Sequence, residues 1–123
     1  MRRIFTFLAL IIILAACASP SMIATASLGQ TFSKPELAAQ RLYSAYKHCN
    51  RVAALKAASS PAVRTLFRKN CQPGDPKWEF MGCERTGTSF SCSYYYEGGG
   101  VNMNVVRSAP TSYSVKSVSF IAD

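Results

Sequence analysis

The chain has 123 residues, 49% of them hydrophobic, and 14 Lys/Arg against 6 Asp/Glu give it a formal charge of +8. A chain of this length supports one domain with one core and little stability in reserve. It has no internal repeat and no low-complexity block, which excludes repeat arrays and linker-like chains.

Met1-Arg2-Arg3 is a short cationic start, followed by an uncharged apolar run from Ile4 to Ala16. The run fits the roughly 7–15 residues of a signal h-region and falls short of the roughly 18 or more of a spanning helix. It closes on Leu14-Ala15-Ala16-Cys17, which resembles a bacterial lipobox, the Leu-small-small-Cys signal after which the chain is cut and the cysteine is lipidated. That resemblance implies an exported lipoprotein, with residues 1–16 removed and a lipid on Cys17 holding the protein on a membrane. Ala18 stands where Gram-negative inner-membrane lipoproteins commonly carry Asp, which implies the outer membrane, facing the periplasm. Two acyl chains already anchor stably, at about 0.8 kcal/mol per buried methylene. An ordinary secretory cut of small-x-small form is the alternative, at Ala24-Thr25-Ala26 or Ala16-Cys17-Ala18.

Residues 17–32 are small, polar and uncharged, as in Ser19-Pro20-Ser21 and Thr25-Ala26-Ser27, and read as a tether. Residues 33–123 form the single domain. It opens on Ser33-Lys34-Pro35-Glu36, the S-x-x-E form of a capping box with proline in the first turn. Leu37, Ala38, Leu42, Ala45, Tyr46 and Cys49 then trace the apolar stripe of an amphipathic helix, which Asn50 breaks. A second helix over 51–58 is expected to pack Val52 and Leu55. A third starts at Ser60-Pro61 and shares Val63, Leu66 and Phe67 on one face, with Asn70 as its left-handed cap. The turn Gln72-Pro73-Gly74-Asp75-Pro76 ends the helical half.

From Lys77 the period changes to two: Trp78, Phe80 and Gly82 alternate with Glu79, Met81 and Cys83. Gly87 suits the first central position of a two-residue turn in Thr86-Gly87-Thr88-Ser89. Counting outward from that turn pairs Cys83 with Cys92 at a non-hydrogen-bonded site, where alpha carbons are about 4.5 Å apart and a disulfide fits. Phe90, Cys92, Tyr94 and Tyr96 share a face. Glu97-Gly98-Gly99-Gly100 returns the chain so that Val101, Met103 and Val105 lie opposite Tyr96, Tyr94 and Cys92. In the last strand the apolar phase shifts between Val115 and Val118, which predicts a bulge near Lys116-Ser117 and a curved sheet.

Every cut considered above lipidates or discards Cys17, so Cys49, Cys71, Cys83 and Cys92 remain as an even set suited to an oxidising compartment. With Cys83–Cys92 selected by the hairpin, Cys49 is left with Cys71. On the chain-entropy account these loops contribute roughly 3.5 kcal/mol for the longer and 2.5 kcal/mol for the shorter. A zinc site is disfavoured: no pair has the C-x₂₋₄-C spacing, and His48 is the single histidine.

Helices first and then a four-stranded antiparallel meander predict an α+β domain. With the segment Ala53–Phe67 between a first helix and curved strands, it resembles small exported members of the NTF2-like, or cystatin-like, superfamily. Such domains fold a curved sheet around a helix into a cone used for ligand binding, catalysis or dimerisation. The resemblance implies a candidate pocket at Tyr46, Tyr94 and Tyr96, whose alternative role is core packing.

The six acids fall in turns or on polar phases and pair with neither His48 nor one another, so no acid/base couple is visible and no cofactor or metal is implied. The charge is uneven. From Lys34 to Lys69 there are eight basic residues against one acid, Glu36. Arg41, Lys47, Arg51, Lys56, Arg64, Arg68 and Lys69 make a candidate basic face for an anionic envelope surface or an acidic protein. Export argues against nucleic acid. The expectation is a lipid-anchored envelope protein with a non-catalytic binding or structural role. A cone-pocket binder or enzyme, and an inhibitor or immunity protein against a secreted enzyme, are the alternatives.

Overall fold

Helices α1 (Pro35–Lys47), α2 (Arg51–Ala57) and α3 (Ser60–Leu66) precede strands β1 (Glu79–Thr86), β2 (Ser89–Tyr96), β3 (Gly99–Ala109) and β4 (Ser112–Ile121) in a computed structural model. The structure describes residues 32–73 and 77–121. The apolar N-terminal run, the lipobox with Cys17, the tether up to Thr31 and the turn residues Gly74, Asp75 and Pro76 lie outside the described residues. The strands form one antiparallel sheet in the order β1-β2-β3-β4, and the helices cover one of its faces, as the α+β reading expects. Among the described residues no helix is long and apolar enough to cross a membrane.

Pro35 starts α1, and the residue before a proline is pushed to extended backbone, so Lys34 (φ −139°, ψ 145°) becomes the N-cap. Ser33 is therefore one position too early, and the expected Ser33–Glu36 box does not form. α1 buries Pro35, Ala38, Ala39, Leu42, Ala45 and Tyr46, while Leu37, about 100° of helix rotation from Ala38, is exposed. The helix ends in a Schellman pattern: Cys49 N–H donates to the Tyr46 carbonyl (3.0 Å) and Asn50 N–H to the Ala45 carbonyl (2.8 Å). The left-handed residue is thus Cys49 (φ +53°), not Asn70. Asn50 then caps α2 by accepting from Ala53 N–H at 3.0 Å.

α2 corrects the expected packing. It is too short to bury a full stripe and turns Ala54 and Ala57 inward, leaving Val52 70% and Leu55 52% exposed. Ser59 caps α3, accepting from Ala62 N–H (3.2 Å), and its hydroxyl also donates to the Lys116 carbonyl (2.7 Å). With Ser59 N–H donating to the Val115 carbonyl (2.8 Å), the α2–α3 link is hydrogen-bonded to the edge of the sheet. That contact falls at the predicted bulge: Asn104 pairs with Ser117 but Val105 with Val115, so Lys116 is the extra residue.

The first hairpin has the expected register, from Thr86–Ser89 out to Cys83–Cys92. Beyond it, Phe80 pairs with Tyr94 and Gly82 with Ser93, so Met81 is bulged out. The bulge, with Gly82 at φ +97°, reverses the strand's phase and puts Cys83 on the same covered face as Phe80, which simple alternation denied. The second hairpin is tighter than expected. Tyr96 pairs with Gly99 across a Glu97-Gly98 turn, and Val101, Met103 and Val105 face Tyr94, Cys92 and Phe90. The shift is two residues, so the buried face is unchanged. Gly100 allows Tyr95 to lie across it: an added Cβ would sit 2.7 Å from the ring.

Both disulfides form as paired from the sequence, Cys49–Cys71 with alpha carbons 5.5 Å apart and Cys83–Cys92 with them 4.0 Å apart. The first ties the end of α1 to the segment after α3, and the second sits beneath the helices. Such bonds suit an oxidising, exported environment.

Candidate functional site

Basic residues of the helical half line two separate hollows. Arg51, Arg64 and Arg68, from α2 and the α3 region, line a hollow of about 490 Å³ with Pro61, Thr65 and Phe67. The Arg51 guanidinium lies 5.0 Å from the centre of the Phe67 ring, which holds it by a cation–π contact. Arg41 and Lys56 line a second hollow with Ser44, Ala45, His48, Asn50 and Ala53. There the exposed His48 donates from Nδ1 to the Ser44 carbonyl (2.7 Å). Among the described residues no carboxylate lies within ion-pair distance of Arg41, Arg51, Lys56, Arg64 or Arg68.

Two expected members of the face are placed elsewhere. Lys47 is half-buried at the end of α1 and lines neither hollow. Lys69 turns back onto the aromatic cluster: its ammonium donates to Tyr96 Oη (3.2 Å) and lies 4.6 Å from the Phe120 ring centre. Its short distance to two aromatic rings explains the departure, because a lysine stem and head pack well over such surfaces.

Tyr46, Tyr94 and Tyr96 are brought together, but around Trp78. The indole lies 5.2 Å from Tyr46, 5.4 Å from Tyr96 and 6.2 Å from Tyr94, centre to centre, and is 9% exposed. As a pocket the set is occupied by the indole. Tyr43, which the periodicity left out, completes the cluster at 5.4 Å from Trp78 and 4.6 Å from Tyr94, and its hydroxyl accepts from the Trp78 backbone N–H (3.0 Å). Its three-residue spacing from Tyr46 on α1 was the available signal. Burial pushes the Tyr94 phenol well above its ordinary range. Burial also raises Tyr46, offset in part by the nearby Lys69 charge, with Tyr96 adding a smaller upward effect. Both therefore remain neutral at physiological pH, unsuited to act as bases.

A further basic hollow, of about 420 Å³, was not read from the sequence. Arg85, Thr88, Phe90, Arg107 and Tyr113 line it. Arg107 is fixed there by donating to the Pro110 carbonyl (3.2 Å) and Tyr113 Oη (2.8 Å). Cross-strand pairing of Arg85 with Phe90 and of Arg107 with Tyr113 builds it, so the signal lay in two registers taken together. Among the described residues no group of three or more His, Cys, Asp or Glu could hold a metal.

No family model, no curated protein and no solved structure matches the chain.

Proposed function

We propose that this chain is a lipid-anchored, exported envelope protein that binds an anionic envelope component, without catalysis, through its helical face. The observation that carries the binding role is the hollow that Arg51, Arg64 and Arg68 line together with Phe67, with no described carboxylate in ion-pair reach. Arginine is suited to this, since its planar fork pairs with phosphate or carboxylate oxygens two at a time. The anchor rests on Leu14-Ala15-Ala16-Cys17 after the apolar run, and the two disulfides support export. The tyrosine cluster supports packing rather than a ligand pocket, because Trp78 fills it.

The test is binding of the unlipidated chain from Ala18 to Asp123 to purified envelope fragments, compared with R51Q/R64Q/R68Q. At about 1 kcal/mol per cation at an anionic surface, the triple variant should bind on the order of 100-fold more weakly. Equal binding by the two proteins would remove the basis for the reading.

A further inference from the structure

α2 presents an apolar ridge between the two basic hollows. At about 100° per residue, the order around its exposed side is Arg51, Leu55, Val52, Lys56. Val52 and Leu55 are 70% and 52% exposed, while Ala54 and Ala57 seal the opposite side against the core. Arg51 belongs to the hollow with Arg64 and Arg68, and Lys56 to the hollow with Arg41. Two neighbouring branched apolar side chains flanked on both sides by cations form the pattern of an interfacial helix. The cations meet phosphate groups while the apolar side chains enter the boundary with the acyl chains.

We propose that α2 is a membrane-contacting element that inserts Val52 and Leu55 into the headgroup region of an anionic bilayer. The proposal rests on the basic-face reading above and names its partner. Charge complementarity favours it, since Glu36 is the one acid from Lys34 to Lys69. Chain length favours it too. The fourteen residues between Cys17 and Phe32 extend at most about 50 Å, so a lipid on Cys17 keeps α2 within reach of the bilayer. An acidic protein patch would meet the cations but would need an apolar patch of its own to cover Val52 and Leu55.

The experiment uses the chain from Ala18 to Asp123, which contains both disulfides and the whole described core. Its flotation is measured with vesicles of phosphatidylcholine alone and with phosphatidylglycerol added. The variants are V52S/L55S, which keeps every charge, and R51Q/R64Q/R68Q. An L55W variant is also tested for quenching by brominated acyl chains, against the wild-type Trp78 background. The expected results are selective binding to anionic vesicles, a loss of about tenfold in V52S/L55S and a larger loss in the arginine variant, and quenching of the L55W indole. Wild-type affinity in V52S/L55S with no quenching would overturn insertion while leaving the basic-face reading intact. No flotation of the wild type, alongside arginine-dependent binding to envelope fragments, would overturn the bilayer as partner and point to an acidic protein. Loss of binding in both assays would overturn both readings.

Discussion

Replacing Trp78 with alanine tests whether the tyrosine cone is filled. The indole is 9% exposed and packs against Tyr43, Tyr46, Tyr94 and Tyr96, at 5.4, 5.2, 6.2 and 5.4 Å respectively. Truncating a packed tryptophan costs about 3–5 kcal/mol through lost burial and the space left behind. Its aromatic contacts place W78A toward the upper end, since each is worth about 0.5–1.5 kcal/mol beyond area. The Trp78 backbone bond to Tyr43 Oη survives the change, so the loss belongs to the ring. A domain this small has only about 5–13 kcal/mol in hand, so the assay is urea unfolding under non-reducing conditions, with W78F as the milder companion. W78F should cost roughly half as much, and added indole should recover part of the W78A loss by occupying the vacated site. A W78A cost below about 1 kcal/mol, with no response to indole, would show that the ring is not packed and would restore the tyrosines as a ligand pocket.

Ser59→Ala removes the α3 cap and the bond to the Lys116 carbonyl together. It should cost about 2 kcal/mol, or about 8–16 °C in Tm, with S59T retaining most of the stability. Gly100→Ala should cost about 1–3 kcal/mol, because the new methyl would meet the Tyr95 ring at 2.7 Å and the Tyr94 carbonyl at 2.9 Å; a neutral melting curve would refute that close approach. Because burial raises the Tyr94 phenol above the ordinary 10.0, the unfolded chain loses this proton first as pH rises. The associated stability is therefore full below pH 10 and falls above it, by up to about 1.4 kcal/mol per pH unit. Tyr94→Phe should flatten that alkaline decline in urea titrations, and an unchanged slope would contradict it.

How much of this was legible depended on how tightly local chemistry constrained each element. The first hairpin was readable because Gly87 fixes the turn and Cys83 and Cys92 then fall opposite one another. The β4 bulge was readable because the buried phase changes between Val115 and Val118. The Met81 bulge left no such trace, since Trp78, Phe80 and Gly82 continue a regular alternation in sequence. Three consecutive glycines allowed several turn lengths, and the pairing slipped by two while the face survived. On α2, apolar identity suggested burial for Val52 and Leu55, but the small residues Ala54 and Ala57 are what let the helix approach its neighbours. Arg51, Arg64 and Arg68 line one hollow, whereas Lys69 is diverted to aromatic rings distant in sequence. Arg85 and Arg107 meet only through the folded sheet.

The proposed binding role in the envelope depends first on anchoring of this domain to a membrane through Cys17. Radiolabelled palmitate incorporation in a bacterial host, compared between the wild type and Cys17→Ala, tests it most directly. Label should enter the wild type alone, on a chain shortened by residues 1–16 and resistant to release by salt. Equal labelling of the two proteins, or an unlabelled wild-type chain beginning after Ala26, would contradict it.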